Sequence, residues 1–140
     1  MISVHLAEAL RDAGLRWTPA AGDRFVIPKP ALLGEVFTLS EMTIEAREYP
    51  HGTILGFNGT TEWALDSVAK DEALWLPRED QLRDLLGGTF RSLRQGDGDF
   101  TVTTAGPDGD RVFTAASAPD AYAYALLALI ALATADVAQP

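Results

Sequence analysis

The residue types that could do chemistry gather in one central segment of the chain, between Asn58 and Trp75. Glu62 and Asp66 are four residues apart, so their carboxylates share one face if this piece is helical. Paired carboxylates can act as general acid and base. Trp63 and Trp75 are aromatic residues of the kind that line pockets and protein interfaces. The segment therefore predicts a binding site formed by Asn58, Glu62, Trp63, Asp66 and Trp75.

The same two tryptophans also fit an ordinary hydrophobic core. Trp63 and Trp75 would then pack between the sheet and the helices, as large aromatic residues usually do. Glu62 and Asp66 would be solvated acids, because burial is what moves a carboxyl pKa to a catalytic value. With His51 in a predicted turn upstream, the sequence leaves open either a carboxylate pocket or a packed core.

Metal and phosphate chemistry find little support in the sequence. The chain has no cysteine and two histidines, so a metal site would have to be built mainly from carboxylates. The acidic loops at 97–99 and 108–110 lack the spaced oxygen ligands of a calcium loop and predict hairpin turns instead. The sequence contains no phosphate-binding glycine loop and no serine-nucleophile motif. We therefore predict no metal and no cofactor, and we assign no catalytic residue.

The net charge of the chain indicates which classes of partner it can bind. The chain has 11 Lys and Arg against 20 Asp and Glu, a formal net charge of -9. That charge repels nucleic-acid phosphates and anionic lipid surfaces, and it attracts a basic protein. We expect a basic protein partner, no nucleic acid and no membrane. The N-terminus lacks the basic stretch and apolar run of a signal peptide, so we expect the cytoplasm.

The length and composition are those of one globular domain. With 140 residues and 47% hydrophobic content, the chain can bury a single core and should fold without disulfides. We expect one domain over residues 1–135 and a frayed tail over residues 136–140.

The first half of the chain predicts one helix followed by strands. Apolar residues at helical spacing predict a first helix that ends at Gly14. Short runs rich in β-branched and aromatic residues predict strands at 24–27 and 35–39. A turn-forming sequence between two further runs predicts a hairpin that joins 43–49 to 53–57.

Two helical pieces are predicted in the middle of the chain. Thr60 or Thr61 would cap a short helical piece that extends to Val68. A second helix is predicted between Pro77 and Gly87, because proline is favoured near the first helical position and glycine at the stop. Acidic residues in its first turn complement the helix dipole.

The last third predicts a meander and an apolar helix. Ser117 would cap the helix, with the Asp120 side chain reaching back to it, and the helix would run to about Thr134. Residues 121–135 carry no charge, which predicts a buried helix or a homodimer through it. That run is shorter than a membrane span requires. Three strand-like runs separated by turn residues predict the meander: residues 90–94, 99–104 and 111–114.

Four segments of the chain carry a resemblance to a known group. Residues 9–17, 22–25, 57–66 and 75–77 read ALRDAGLRW, GDRF, FNGTTEWALD and WLP. The chain resembles small stand-alone actinobacterial proteins that are often labelled pilus-assembly proteins, and the likeness covers nearly the whole chain. The resemblance implies no activity and no site residue. The excess of Arg over Lys and the abundant Ala agree with a GC-rich bacterial genome.

Together the elements predict an α+β fold. It would have a mostly antiparallel sheet, an N-terminal helix, a middle helix, a three-strand meander and an apolar C-terminal helix. The acidic charge and the aromatic-polar central segment favour a non-enzymatic protein-interaction or regulatory module. The alternative is a small-molecule-binding protein or enzyme with a carboxylate-containing pocket around Glu62, Asp66 and Trp63.

Overall fold

The computed structural model describes residues 1–32, 34–40, 45–49, 52–56, 67–69 and 72–138. The chain packs as two compact units, a terminal unit (Met1–Arg16 with Pro77–Pro140) and a central unit (Trp17–Leu76). The described residues form three α-helices and three three-stranded antiparallel sheets, so the fold is α+β, as predicted. The expected single domain over 1–135 stays a prediction.

The terminal unit begins with helix α1, Val4–Asp12, which buries Leu6, Ala7 and Leu10. The helix stops where the sequence predicts, because Gly14 adopts a φ of 111° that other residues avoid. The Gly14 N–H donates to the Arg11 carbonyl, and the Leu15 N–H donates to the Leu10 carbonyl, both at 3.0 Å. This is the Schellman arrangement, which satisfies the last carbonyls of the helix.

The central unit contains a small sheet around a core of aromatic and aliphatic side chains. Strand β1, Arg24–Val26, lies between β2, Phe37–Thr38, and β6, Leu74–Leu76. The sequence analysis predicted β1 and β2 but missed β6, which ends immediately before the predicted helix. The buried core cluster of this unit consists of Trp17, Phe25, Ile27, Leu39 and Ala73.

A second sheet of the central unit confirms the predicted hairpin and corrects a predicted helix. Strands β3, Glu45–Tyr49, and β4, Gly52–Gly56, pair antiparallel, and β5, Ser67–Ala69, pairs with β4. Val68 is therefore in a strand opposite Leu55 and not in the helical piece predicted to carry it. A β-branched residue fits a strand well when a neighbouring strand offers hydrogen bonds. The rest of that predicted piece, residues 60–66, lies outside the described residues.

The second helix and the meander follow the sequence prediction closely. Helix α2, Glu79–Leu86, buries Leu82 and Leu86 and ends at Gly87. The Gln81 side chain accepts the Arg78 N–H at 2.9 Å, which satisfies one free donor at the start of the helix. The three strands of the meander pair in chain order: β7, Phe90–Gln95; β8, Phe100–Gly106; and β9, Gly109–Ala115.

Helix α3, Ala118–Ala138, contacts α1, α2, β8 and β9 and extends beyond the predicted end near Thr134. Ser117 caps it as predicted, accepting the Asp120 N–H at 3.3 Å. The predicted return contact of the Asp120 carboxylate with Ser117 is wrong. The carboxylate accepts instead from the N–H (2.8 Å) and the hydroxyl (2.5 Å) of Ser3 at the start of α1. This carboxylate therefore ties the first helix to the last one.

Candidate interaction surfaces

Four of the five predicted site residues lie outside the described part of the chain: Asn58, Glu62, Trp63 and Asp66. His51, which the pocket alternative placed beside them, lies outside it as well. The structure therefore places only Trp75, and the carboxylate pocket stays a prediction.

Trp75 packs half-buried against the core of the central unit. It is the middle residue of β6 and pairs with Phe25 of β1. Its indole lies nearly parallel to that of Trp17, with ring centroids 6.4 Å apart and an angle of 8° between the planes. The Trp75 Nε1 atom is buried and has no hydrogen-bond acceptor among the described residues. These contacts favour the core interpretation, although the indole N–H of Trp75 has no acceptor among the described residues.

Asp23 is a buried carboxylate that the sequence analysis did not single out. It is 2% exposed, and its Oδ2 atom accepts from Trp17 Nε1 and from the Ala20 N–H, both at 2.9 Å. The sequence signal was its position after Gly22 in a turn-rich run, where an Asp side chain often bonds the nearby backbone. Asp23 therefore orients Trp17 and the loop before β1.

The remaining sequence candidates for metal binding do not converge in the described ranges. No group of three or more His, Asp or Glu side chains able to hold a metal ion occurs there. His5 is exposed on α1. The acidic loops at 97–99 and 108–110 lie at the two turns of the meander, as predicted, and Gly96 N–H donates to the Asp99 carbonyl at 2.9 Å.

An aromatic contact joins α2, the meander and α3. The guanidinium of Arg83 lies 4.3 Å from the ring centre of Phe90, a cation–π distance. Phe90 in turn stacks on Tyr122 of α3, with centroids 5.8 Å apart. Burial raises the pKa of Tyr122, and the negative charge of Glu79 raises it further. The phenol is therefore held in its neutral form, which suits a packing role.

The outward face of α2 combines exposed acids with an exposed leucine. Asp80 and Asp84 lie one turn apart, and Leu85 beside them is 40% exposed. Arg78 donates to Asp80 at 3.1 Å, and this hydrogen bond holds the pKa of Asp80 below its usual value. Asp84 makes no ion pair with any described residue. Around the helix, Leu85 lies about 100° from Asp84 and about 140° from Asp80, so these three residues, named the α2 face below, span a broad part of the exposed surface of α2.

Strand β9 forms an open edge of the meander sheet, where β8 is its neighbour on one side only. Arg111 and Phe113 lie on the covered face, because they pair with the buried Thr104 and Val102 of β8. Val112 points to the other face and is 63% exposed. The described strand has no register irregularity that would protect its edge.

Residues 127–135 in the second half of α3 are uncharged and only partly covered, which corrects the expectation of a buried helix. Most of residues 118–126 are buried, whereas none of residues 127–135 is. The elements that pack on α3 cover its first half. Leu129 and Leu132 of the second half line a shallow groove with Arg111 and Phe113 of β9. This partly covered half therefore lies beside the open β9 edge.

By length and composition, Ala118–Ala135 of α3 could also cross a membrane, and it is the one such stretch in the described helices. Core helices of soluble proteins meet the same criteria, and 33% of this stretch is buried. The less covered part, residues 127–135, is about 14 Å long at 1.5 Å per residue. The hydrocarbon core of a bilayer is about 30 Å thick, so this part alone does not span it.

No family model, curated protein or solved structure matches this chain. The resemblance to the actinobacterial group stays a prediction. The candidate surfaces themselves, the α2 face and the β9 edge with the second half of α3, are therefore the basis for any functional proposal.

Proposed function

We propose that the chain is a non-enzymatic protein-interaction module of the cytoplasm, and that its partner is a basic protein. The observation that carries the proposal is the α2 face, where Leu85 is exposed next to Asp84, a carboxylate without an ion-pair partner among the described residues. Protein interfaces combine an apolar centre with a polar rim, and this face has both.

The charge of the whole chain supports a basic partner. A net charge of -9 attracts an oppositely charged protein and raises its association rate. Exposed acids at the turns, such as Asp97 and Asp108, strengthen this attraction without belonging to the α2 face. Because the attraction is screened by salt, the proposal requires a complex that weakens at high ionic strength.

The test is capture of partners from the native host by the tagged chain, with identification by mass spectrometry. We expect a stoichiometric basic protein at low salt that is lost at high salt. Asp84→Asn and Leu85→Ser should then weaken binding of the purified partner. Asp108→Asn removes the same charge at a turn far along the chain and is the matched control. Equal effects of Asp84→Asn and Asp108→Asn would remove the α2 face from the proposal.

The second candidate is a small-molecule-binding protein or enzyme whose pocket includes Trp75. The observation that favours it is the buried Nε1 donor of Trp75, since buried donors normally have an acceptor. A bound molecule that supplies this acceptor would stabilise the fold and change tryptophan emission. A ligand screen by thermal shift, repeated with Trp75→Phe, tests this candidate: hits that bind both proteins equally would count against it.

A further inference from the structure

The two edges of the meander sheet differ in how they are protected. Strand β7 is interrupted by a register irregularity between Phe90 and Ser92, and it carries exposed Arg91 and Arg94. A bulge of this kind discourages pairing with another strand, and it is the feature that β9 lacks. Strand β9 is regular over all seven residues of its pairing with β8 and exposes Val112. The open main-chain groups of β9 can therefore accept another strand.

We propose that a second copy of this chain pairs with β9, strand against strand and antiparallel, around a two-fold axis at Val112. The two meanders would then form one six-stranded sheet with their covered faces on the same side. This goes beyond the proposed function, because it concerns self-association through a different surface from the α2 face.

The register follows from the position of the charges. Val112 is the middle residue of Gly109–Ala115, so centring the pair on it matches all seven residues of each strand. Asp110 then lies opposite Thr114 of the second copy, and Arg111 lies opposite Phe113. Arg111 already lies 5.3 Å from the ring centre of Phe113 in its own strand, so the guanidinium would have a ring on both sides.

Neighbouring registers are less favourable for a physical reason. Centring the pair on Arg111 places this residue opposite itself, and centring it on Asp110 opposes two carboxylates. Like charges directly opposite each other destabilise a strand pair. Centring on Phe113 avoids this repulsion but leaves Gly109 and Asp110 outside the matched strands. The register at Val112 is the one that pairs the whole strand without opposing like charges.

The second half of α3 supports the same partner. It flanks the groove below Arg111 and Phe113, and residues 127–135 carry no charge. Two copies related by a two-fold axis bring identical surfaces together, and an uncharged surface meets its own copy without repulsion. A basic partner has no acidic group to contact on this stretch. The uncharged surface of residues 127–135 therefore fits a second copy better than a charged protein.

The dependence on salt concentration distinguishes the proposed dimer from the proposed complex with a basic protein. Each copy carries a net charge of -9, so two copies repel each other and screening should strengthen their association. Binding of a basic protein should weaken under the same conditions. The dimer and the complex with a basic protein can therefore be tested independently of each other.

The register can be tested by disulfide formation, because the chain has no cysteine of its own. Val112→Cys places the two thiols opposite each other at the axis, and we expect a covalent dimer under mild oxidation. Thr114→Cys on the same face of β9 is the matched control. Its two copies would be about 13 Å apart along the strands, beyond the roughly 7 Å between Cα atoms that a disulfide allows. Equal cross-linking by both variants would overturn the register.

Light scattering of the unmodified chain completes the test. We expect a monomer–dimer equilibrium that shifts to dimer at higher salt, and a shift of about tenfold toward monomer in Val112→Lys, since facing lysines repel and protect an edge. Circular dichroism should show that Val112→Lys keeps the fold, because the side chain is exposed. A monomer at all concentrations would overturn the proposal. So would a dimer that Val112→Lys leaves unchanged, or β9 pairing only with a different protein.

Discussion

The carboxylate of Asp23 accepts the indole N–H of Trp17 at 2.9 Å, and the same oxygen accepts the Ala20 N–H. Trp75 lies nearly parallel to Trp17, yet its own indole N–H has no acceptor among the described residues. Two stacked tryptophans of one core thus differ in a single hydrogen bond. This difference can be measured directly.

Replacing each tryptophan by phenylalanine should therefore have unequal costs. Trp17→Phe removes the donor and leaves the buried Asp23 carboxylate short of one partner, whereas Trp75→Phe removes a donor that bonds no described residue. We expect Trp17→Phe to lower the free energy of unfolding by about 1–3 kcal/mol more than Trp75→Phe does. Urea denaturation followed by circular dichroism measures both. The reverse order would contradict the hydrogen-bond assignment.

Changing Asp23 tests the same bond from its acceptor side. Asp23→Ala leaves the Trp17 and Ala20 donors without this acceptor, and we expect a loss of roughly 1–3 kcal/mol in the free energy of unfolding. Asp23→Asn keeps a carbonyl oxygen that can accept and should lose less. Asp108→Ala, at an exposed turn, controls for the removal of charge. Equal stability of Asp23→Ala and Asp108→Ala would show that the bond is unimportant.

The raised pKa of Tyr122 predicts a loss of stability at alkaline pH. Its phenol is neutral in the fold at a pH where it ionises in the unfolded chain, because burial and the charge of Glu79 disfavour phenolate. This contribution is complete below about pH 10, the unfolded pKa, and is lost as the pH rises through the folded-state pKa. In an absorbance titration Tyr122 should therefore give a late ionisation phase. Tyr122→Phe should remove that phase, and its persistence would refute the assignment.

The Asp120 carboxylate should stabilise the terminal unit by joining α1 to α3. Asp120→Ala removes the acceptor of both Ser3 hydrogen bonds, and we expect it to cost about 1–3 kcal/mol. Ser3→Ala should cost less, because its N–H can still donate. The double variant should cost less than the sum of the two single changes, since they share one interaction. Additive losses in urea denaturation would show that the two residues act separately.

Local signals in the sequence predict most of the fold of the terminal unit. The stop at Gly14, the limits of α2 and the strand order of the meander all depend on neighbouring residues, and the structure confirms them. Strands β5 and β6 are three residues each and have no periodicity of their own. Their pairing with distant strands decides their structure, so the sequence analysis missed them.

The candidate surfaces depend on contacts between residues far apart in the chain. Asp120 bonds Ser3 across 117 positions, where a local capping rule predicts Ser117 as its partner. The uncharged stretch of α3 is visible in the sequence, but its half-burial follows from which elements pack on it. The exposure of Leu85 and Val112 follows from the same packing. The acidic net charge can be read from the composition alone. Which apolar side chains are exposed near acidic ones is decided by the fold.

The most direct test of the proposed function is the salt dependence of partner capture by the tagged chain from its native host. We predict one stoichiometric basic protein that is captured at low ionic strength and lost at high ionic strength, and whose binding is weakened more by Leu85→Ser than by Asp108→Asn. A complex that is insensitive to salt, or a partner that binds Leu85→Ser as tightly as the unmodified chain, would contradict it.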